Sequence, residues 1–221
     1  MKLQIDVPDS TREISLEQYQ RFVKINTPEN EGSSFLLQKQ IEIFCNVDLR
    51  DLATIKYSDV LKITDHLNEI FDTTKTGLIE RFTLGGKEYG FIPDLDSISL
   101  GEYIDLDNYL GDWENMHKAM AVLYRPVTTR VKDKYQIETY DGSKYQERMM
   151  YMPLDVALSS MVFFYHLNKE LLSLTLNYLD RNIPNTLTPQ QQDRLEQSGD
   201  GINQYMHSLQ EILKDLNISQ S

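Results

Sequence analysis

The chain has 221 residues, of which 40% are hydrophobic and 25% charged, so it is long enough for one large domain or two small ones with a core of ordinary size. Its 34 acidic and 22 basic side chains give a net charge of -12, which disfavours binding of a phosphate backbone over the whole surface. The single cysteine, Cys45, excludes an internal disulfide, and no apolar run is long enough to predict a membrane span.

The first third of the chain predicts one short strand followed by three helices. Residues 2–7 alternate between polar and apolar side chains, which is typical of a strand. Helices are predicted to begin after Ser15 and to cover 34–46 and 58–71, because apolar residues recur there at helical spacing. Cys45 belongs to the second helix, where we expect it to fill the core rather than to act as a nucleophile.

The middle of the chain predicts a β-hairpin and two further helices. Residues 78–84 and 87–92 are strand-like, and the Gly-Gly pair between them suits a two-residue turn because glycine tolerates positive φ. The two helices are predicted over 99–110 and 113–124.

Asp94 and Asp96, between the hairpin and the next helix, begin like a calcium-binding loop. Such a loop needs glycine at its sixth position, and Ser99 stands there instead. We therefore expect these acids to cap helices rather than to bind a metal.

The same pattern occurs twice in the chain. Matching strings appear in the same order, and we predict an internally duplicated strand-turn-helix-helix-helix unit, with 1–76 as the first repeat unit and 77–181 as the second. Because each unit is too small to bury a good core alone, the two are expected to share one. The matches are Pro8-Asp9 with Pro93-Asp94, Ile-Ser-Leu-x-x-Tyr at 14–19 and 98–103, Asp-Val at 59–60 and 155–156, and His-Leu-Asn at 66–68 and 166–168.

The second repeat unit carries an insertion, residues 127–148, that the first unit lacks. Its β-rich flanks around Asp141-Gly142 predict a hairpin. Residues 125–148 contain six cationic and four anionic side chains, an excess of positive charge in an otherwise acidic chain. This basic hairpin could therefore contact the acidic body of a second copy. Its tyrosines also suit stacking on nucleic acid, although an ordinary solvated hairpin and a subunit contact are the favoured interpretations.

A long helix is predicted from about Pro153 to residue 179, and residues 186–221 then predict a helical C-terminal segment. The last helix of that segment has an apolar stripe close to heptad spacing. Such a stripe packs on its own domain or, if it projects, docks on a partner. The stripe residues are Ile202, Tyr205, Met206, Leu209, Ile212, Leu213 and Leu216.

No sequence pattern indicates catalysis, a cofactor or a metal. The chain has neither a phosphate-binding glycine loop nor a Gly-x-Ser-x-Gly elbow, and its four histidines form no metal-ligand pair. We therefore expect no catalytic, cofactor-binding or metal-binding residues. The least favoured alternative is an enzyme whose site forms between the two repeat units, where His66 and His166 could meet.

Two segments carry a resemblance to a known group of proteins. Residues 91–106 read FIPDLDSISLGEYIDL and residues 113–127 read WENMHKAMAVLYRPV. They resemble small proteins encoded among the structural genes of tailed bacteriophages, some labelled tail-assembly-chaperone-like or virion-associated. The shared features are a strand, a short acidic turn, a Ser/Thr-Leu-Gly-x-Tyr/Phe helix start and a second helix that ends near Arg-Pro. The resemblance implies no catalytic residues.

These patterns together predict an α+β protein that is predominantly helical, with a duplicated unit, small β-hairpins and a helical C-terminal tail. The expected function is that of a non-enzymatic bacteriophage assembly or virion-associated structural protein, found in the host cytoplasm during assembly or in the virion. A bacterial cytoplasmic adaptor is the first alternative.

The expected partners are other phage virion, tail or head proteins, with no cofactor and no membrane, and nucleic acid is a disfavoured partner. A second copy of the chain is a further candidate, through the acidic body and the basic hairpin. The residues expected to contact a partner are Tyr135, Tyr140, Tyr145, Arg148, Tyr205, Leu209 and Leu213.

Overall fold

A computed structural model describes residues 4–72, 77–142 and 144–182. Within these ranges the chain forms eight helices and a four-stranded antiparallel sheet, which confirms the predicted α+β class and its helical majority. The helices are α1 (Leu16–Val23), α2 (Ser34–Cys45), α3 (Leu49–Leu52), α4 (Tyr57–Asp72), α5 (Leu100–Tyr109), α6 (Met116–Leu123), α7 (Gln146–Met149) and α8 (Leu154–Asn182). In the described ranges, no helix is both long and apolar enough to cross a membrane.

The strands follow one another in the sheet in the order β1-β2-β3-β4, with antiparallel pairing throughout. They are β1 (Arg81–Leu84), β2 (Lys87–Phe91), β3 (Tyr124–Val131) and β4 (Lys134–Ile137), and a 3-10 turn (Leu95–Ser97) precedes α5. The first hairpin is confirmed, since Leu84 pairs with Lys87 across a turn in which Gly85 and Gly86 have φ of 57° and 74°.

The second hairpin turns at a different place from the one predicted. The chain reverses at Lys132 and Asp133, where Lys132 has a φ of 58°, and Asp141-Gly142 lies in a later loop. The prediction was wrong because the residues after Gly142 supply no second strand. They lead into α7 instead, so the glycine serves a loop rather than a hairpin.

The strand predicted over 2–7 is also wrong for the described residues 4–7, which form no strand. A strand must hydrogen-bond to a neighbour. β2, the corresponding segment of the second unit, lies between β1 and β3, whereas the described part of the first unit provides no strand to pair with. Ile5 and Val7 still pack against the core, so the alternation in the sequence reflects burial.

The two repeated helix starts have the same cap but different surroundings. The side chains of Ser15 and Ser99 each accept a hydrogen bond from the backbone N–H of the third helical residue. The side chain of that third residue in turn accepts a hydrogen bond from the backbone N–H of the serine. Leu16 is fully buried, whereas the matching Leu100 is 74% exposed. The shared sequence therefore gives a shared local structure and two different packing arrangements, and the duplication stays a prediction.

The core contains residues from both predicted repeat units. In one part, the ring of Tyr19 in α1 lies 4.6 Å from that of Trp113, and in another the ring of Phe91 in β2 lies 5.6 Å from that of Phe163 in α8. All belong to or pack against one buried cluster. The domain boundaries at 76 and 181 stay a prediction, and the segment 186–221 lies outside the described residues.

Tyr124 is a buried polar link between the sheet and α8. Its hydroxyl donates to the carbonyl of Ile79 at 2.8 Å and lies 2.7 Å from the Ser160 hydroxyl. We expect Tyr124→Phe to lower the free energy of unfolding by about 1–2 kcal/mol, because the half-buried Ile79 carbonyl and the buried Ser160 hydroxyl both lose a hydrogen-bond partner. Urea denaturation checks this, with Tyr103→Phe as the control, since Tyr103 is 59% exposed. Equal stability of the two variants would contradict the assignment.

Candidate functional site

A groove runs beside β4, between the chain segments 92–99 and 133–140. It consists of two adjoining depressions of about 630 and 690 Å³, sizes that are typical of ligand pockets. Both depressions are lined by Ile92, Pro93, Asp94 and Tyr135. We call this feature the β4 groove.

The β4 groove has a buried or half-buried apolar lining and an acidic rim. Among the described residues, four carboxylates of the rim have no salt bridge. One cation of the lining, Lys134, also has no salt bridge in that part of the chain, so the unpaired charge of the rim is negative. The other charges are paired, Glu102 with Arg125 and Glu138 with Lys144. The groove therefore attracts cationic groups. Its apolar residues include Leu78, Phe91, Ile92, Leu95, Ile98, Ile137 and Phe163, and its unpaired acids are Glu80, Asp94, Asp96 and Asp133.

The edge of β4 that faces away from β3 has free backbone groups. Val131 and Lys134 flank the two-residue turn and form a hydrogen-bonded pair, so the backbone groups of Tyr135 and Ile137 point away from β3. In the described part of the chain, these N–H and C=O groups have no hydrogen-bond partner. Because both residues line the β4 groove, the free edge is accessible to an extended chain.

Tyr135 links β4 to β2 across the sheet. Its hydroxyl donates to the carbonyl of Phe91 at 2.9 Å, and its ring lies against Gly90. The guanidinium carbon of Arg81 lies 5.6 Å from the ring centroid on a face of the ring. Burial, together with the nearby charge of Glu80, raises the pKa of Tyr135 to about 12, so the hydroxyl stays a donor at any physiological pH.

A buried ion pair supports the other end of the groove. Arg125 of β3 contacts Glu102 of α5 at 2.7 Å, and both side chains are less than a tenth exposed. The same carboxylate accepts hydrogen bonds from the Ser99 backbone and hydroxyl. Burial alone would raise the pKa of Glu102, but these bonds and the Arg125 charge outweigh it, so the pKa is lowered. The pair therefore joins α5 to the sheet.

The tyrosines expected to contact a partner are half-buried and make contacts within the chain. Tyr140 donates its hydroxyl to Asp105 and Tyr145 donates to Glu138. Arg148 lies 3.3 Å from the Tyr89 hydroxyl. Of this predicted set, Tyr135 and Tyr140 line the β4 groove. Their role towards a partner stays a prediction, and Tyr205, Leu209 and Leu213 lie outside the described residues.

Half of the cations of the predicted basic hairpin are paired within the chain. Arg125 pairs with Glu102, Arg130 with Glu88, and Lys144 with Glu138. These pairs reduce the positive charge that the hairpin presents. Contact with a second copy through this hairpin stays a prediction.

Sequence reasoning missed Arg125 and the acids Glu80 and Asp133 as members of one site. Glu80 precedes β1, Arg125 belongs to β3, and Asp133 lies in the β3–β4 turn. No local spacing in the sequence predicts their proximity, because it depends on how the sheet curls. The helix-capping role expected near Asp94 is confirmed, since its carboxylate accepts from the Asp96 N–H at 3.1 Å.

The three histidines in the described part of the chain have separate neighbours. His66 lies 3.6 Å from Asp9, His117 lies 3.1 Å from the Gln20 amide, and the His166 ring packs beside Tyr165. Across the described residues, no group of three or more His, Cys, Asp or Glu side chains is placed to hold a metal ion.

Cys45 is buried, as expected for a residue that fills the core. Burial, with a smaller contribution from Asp6, raises the pKa of its thiol to about 11 from an ordinary 9.0. We expect Cys45 to react with a thiol reagent at pH 8 at least ~100-fold more slowly in the folded protein than in urea, because thiolate is the reacting form. Equal rates in the two conditions, followed by absorbance, would contradict this.

Comparison with known proteins gave no match: no family model, curated protein or solved structure is significantly similar to this chain.

Proposed function

We propose that this chain is a non-enzymatic bacteriophage assembly or virion-associated structural protein that acts by binding another protein of the particle. The observation that carries protein binding is the β4 groove, which combines a free strand edge, an apolar lining and unpaired charge. These are the features of a surface that recognises a polypeptide.

The phage assignment is supported by the resemblance of 91–106 and 113–127. The features shared with phage proteins are a strand, an acidic turn, a capped helix start and a second helix. In this chain they correspond to β2, the 3-10 turn, α5 and α6. Three of these elements, β2, the 3-10 turn and α5, contribute lining residues to the β4 groove, so residues that carry the resemblance also build the candidate site.

A bacterial cytoplasmic adaptor is the second candidate, because the groove alone supports binding of any polypeptide. The two candidates differ in where the protein resides. An assembly or virion protein associates with particles or with a head or tail component, whereas an adaptor does not.

The deciding experiment is to tag the chain in cells that produce the phage and to separate particles and assembly intermediates on a density gradient. We expect the chain to sediment with the particle or with a head or tail protein, and quantitative mass spectrometry of the fractions measures this. A tagged unrelated acidic protein of similar size is the control. Recovery of the chain only at its own sedimentation position would overturn the phage assignment.

A further inference from the structure

From the geometry of the β4 groove we infer that it binds an extended, basic segment of the partner protein by adding that segment as a strand to β4. This inference rests on the proposed function and specifies how that function is carried out. The occupant is a polypeptide with Lys or Arg side chains alternating with apolar ones.

The backbone of β4 favours an extended occupant. The free N–H and C=O groups belong to Tyr135 and Ile137, two residues apart on one edge. Residues i and i+2 of a strand present their groups to the same side, with a spacing of roughly 6.7 Å. An antiparallel or parallel strand matches this spacing, whereas the interior of a helix has its backbone groups already hydrogen-bonded and offers none to β4.

The side chains around the edge favour a basic and apolar occupant. An added strand directs alternate side chains to opposite faces. One face meets the apolar lining that includes Leu95, Ile98 and Phe163. The other face reaches the rim, where Glu80, Asp94, Asp96 and Asp133 lack salt bridges in the part of the chain described. Cationic side chains complement this charge, and an acidic segment is repelled.

The charge test uses three capped peptides: Lys-Val-Lys-Val-Lys, Glu-Val-Glu-Val-Glu and a five-residue peptide of three Lys and two Ser. The third peptide has the same charge as the first but no apolar residues. We expect the first to bind the full chain at least roughly tenfold more tightly than the other two, by fluorescence anisotropy at low salt. It should shift the amide NMR signals of Tyr135 and Ile137. Failure of the first peptide to bind, or binding without those shifts, would overturn the inference.

A matched pair of variants separates the groove from general charge attraction. Glu80→Gln/Asp133→Asn removes two unpaired acids of the rim, and we expect roughly fivefold weaker binding of Lys-Val-Lys-Val-Lys. Glu31→Gln/Asp65→Asn makes the same change in net charge at exposed positions outside the groove, and binding should stay within about twofold. Equal weakening in both pairs would mean nonspecific attraction and would overturn the inference.

Backbone pairing is tested by N-methylating the peptide at alternate residues, in both possible registers. Strand addition predicts that one register abolishes binding and the other largely preserves it, because only alternate N–H groups face β4. Equal effects of the two would contradict strand addition. These results are independent of the particle test. If the chain is found in particles but does not bind the basic peptide, the groove inference alone is refuted.

Discussion

Replacing Arg125 by Met is expected to lower the free energy of unfolding by about 3–5 kcal/mol, the largest effect of any single substitution we propose. The change leaves the Glu102 carboxylate buried without its partner at 2.7 Å. The Ser99 backbone and hydroxyl still donate to that carboxylate and satisfy one of its oxygens. Urea denaturation monitored by circular dichroism measures the change.

The control is the double variant Arg125→Met/Glu102→Gln, which removes both charges and keeps an acceptor for the Ser99 cap. We expect it to recover most of the lost stability, because a neutral pair carries a far smaller desolvation penalty than a lone buried charge. If the double variant is as unstable as Arg125→Met, the ion pair does not account for the loss.

The pH dependence of the same variants tests the electrostatic origin. The pKa of Glu102 in the folded protein is lowered from 4.5. The contribution of the ionised carboxylate to folding stability is therefore present above pH 4.5 and is lost as the pH falls through the folded pKa. Without Arg125, the pKa of Glu102 rises relative to wild type, because only the Ser99 hydrogen bonds then oppose the effect of burial. The stability gap between wild type and Arg125→Met should therefore be widest near neutral pH and shrink below about pH 5.

Gly90→Ala is expected to lower the free energy of unfolding by about 2–3 kcal/mol, because the new methyl group has no space. A β-carbon at position 90 would lie 2.5 Å from Cε2 of Tyr135 and 3.1 Å from Cγ2 of Val127. Gly90 does not have a positive φ, so the cost comes from packing rather than from backbone strain. The displaced ring would also lose its hydrogen bond to Phe91. Thermal and urea unfolding measure the loss.

Two further variants make the Gly90 prediction specific. Gly101→Ala is the matched control, because a β-carbon there would meet Tyr140 at an ordinary 3.5 Å; stability should hold or rise by up to about 1 kcal/mol. In Gly90→Ala/Tyr135→Ala the clash is gone, so the combined loss should be smaller than the sum of the single losses. Additive losses would show that the two residues do not compete for space.

Local features of the fold were predicted from the sequence more reliably than features that need a distant partner. Ser15 and Ser99 were expected to start helices and do so, and Gly85-Gly86 makes the predicted turn. Such features depend on a few neighbouring residues, which the sequence displays directly. Asp141-Gly142 carried an equally strong turn signal and makes no hairpin, because a hairpin also needs a strand on each side.

The candidate site was less predictable from the sequence than the helices that surround it. That Tyr135 contacts a partner stays a prediction, and the sequence did not predict that its hydroxyl bonds to Phe91 or that its ring covers Gly90. The sequence shows that position 135 belongs to a strand of alternating residues. It does not show which face of that strand folds back over β2, because the bend of β3 near Val127 sets the direction.

The sequence by itself determined the α+β class, the acidic charge, the capped helix starts and the first hairpin, because each follows from composition or from residues a few positions apart. Only the tertiary structure decided that Arg125 meets Glu102 and that the edge of β4 borders an acidic groove. Those features join residues that lie far apart in the chain, and their proximity depends on the strand pairing of the sheet and on the irregular register of β3 near Val127.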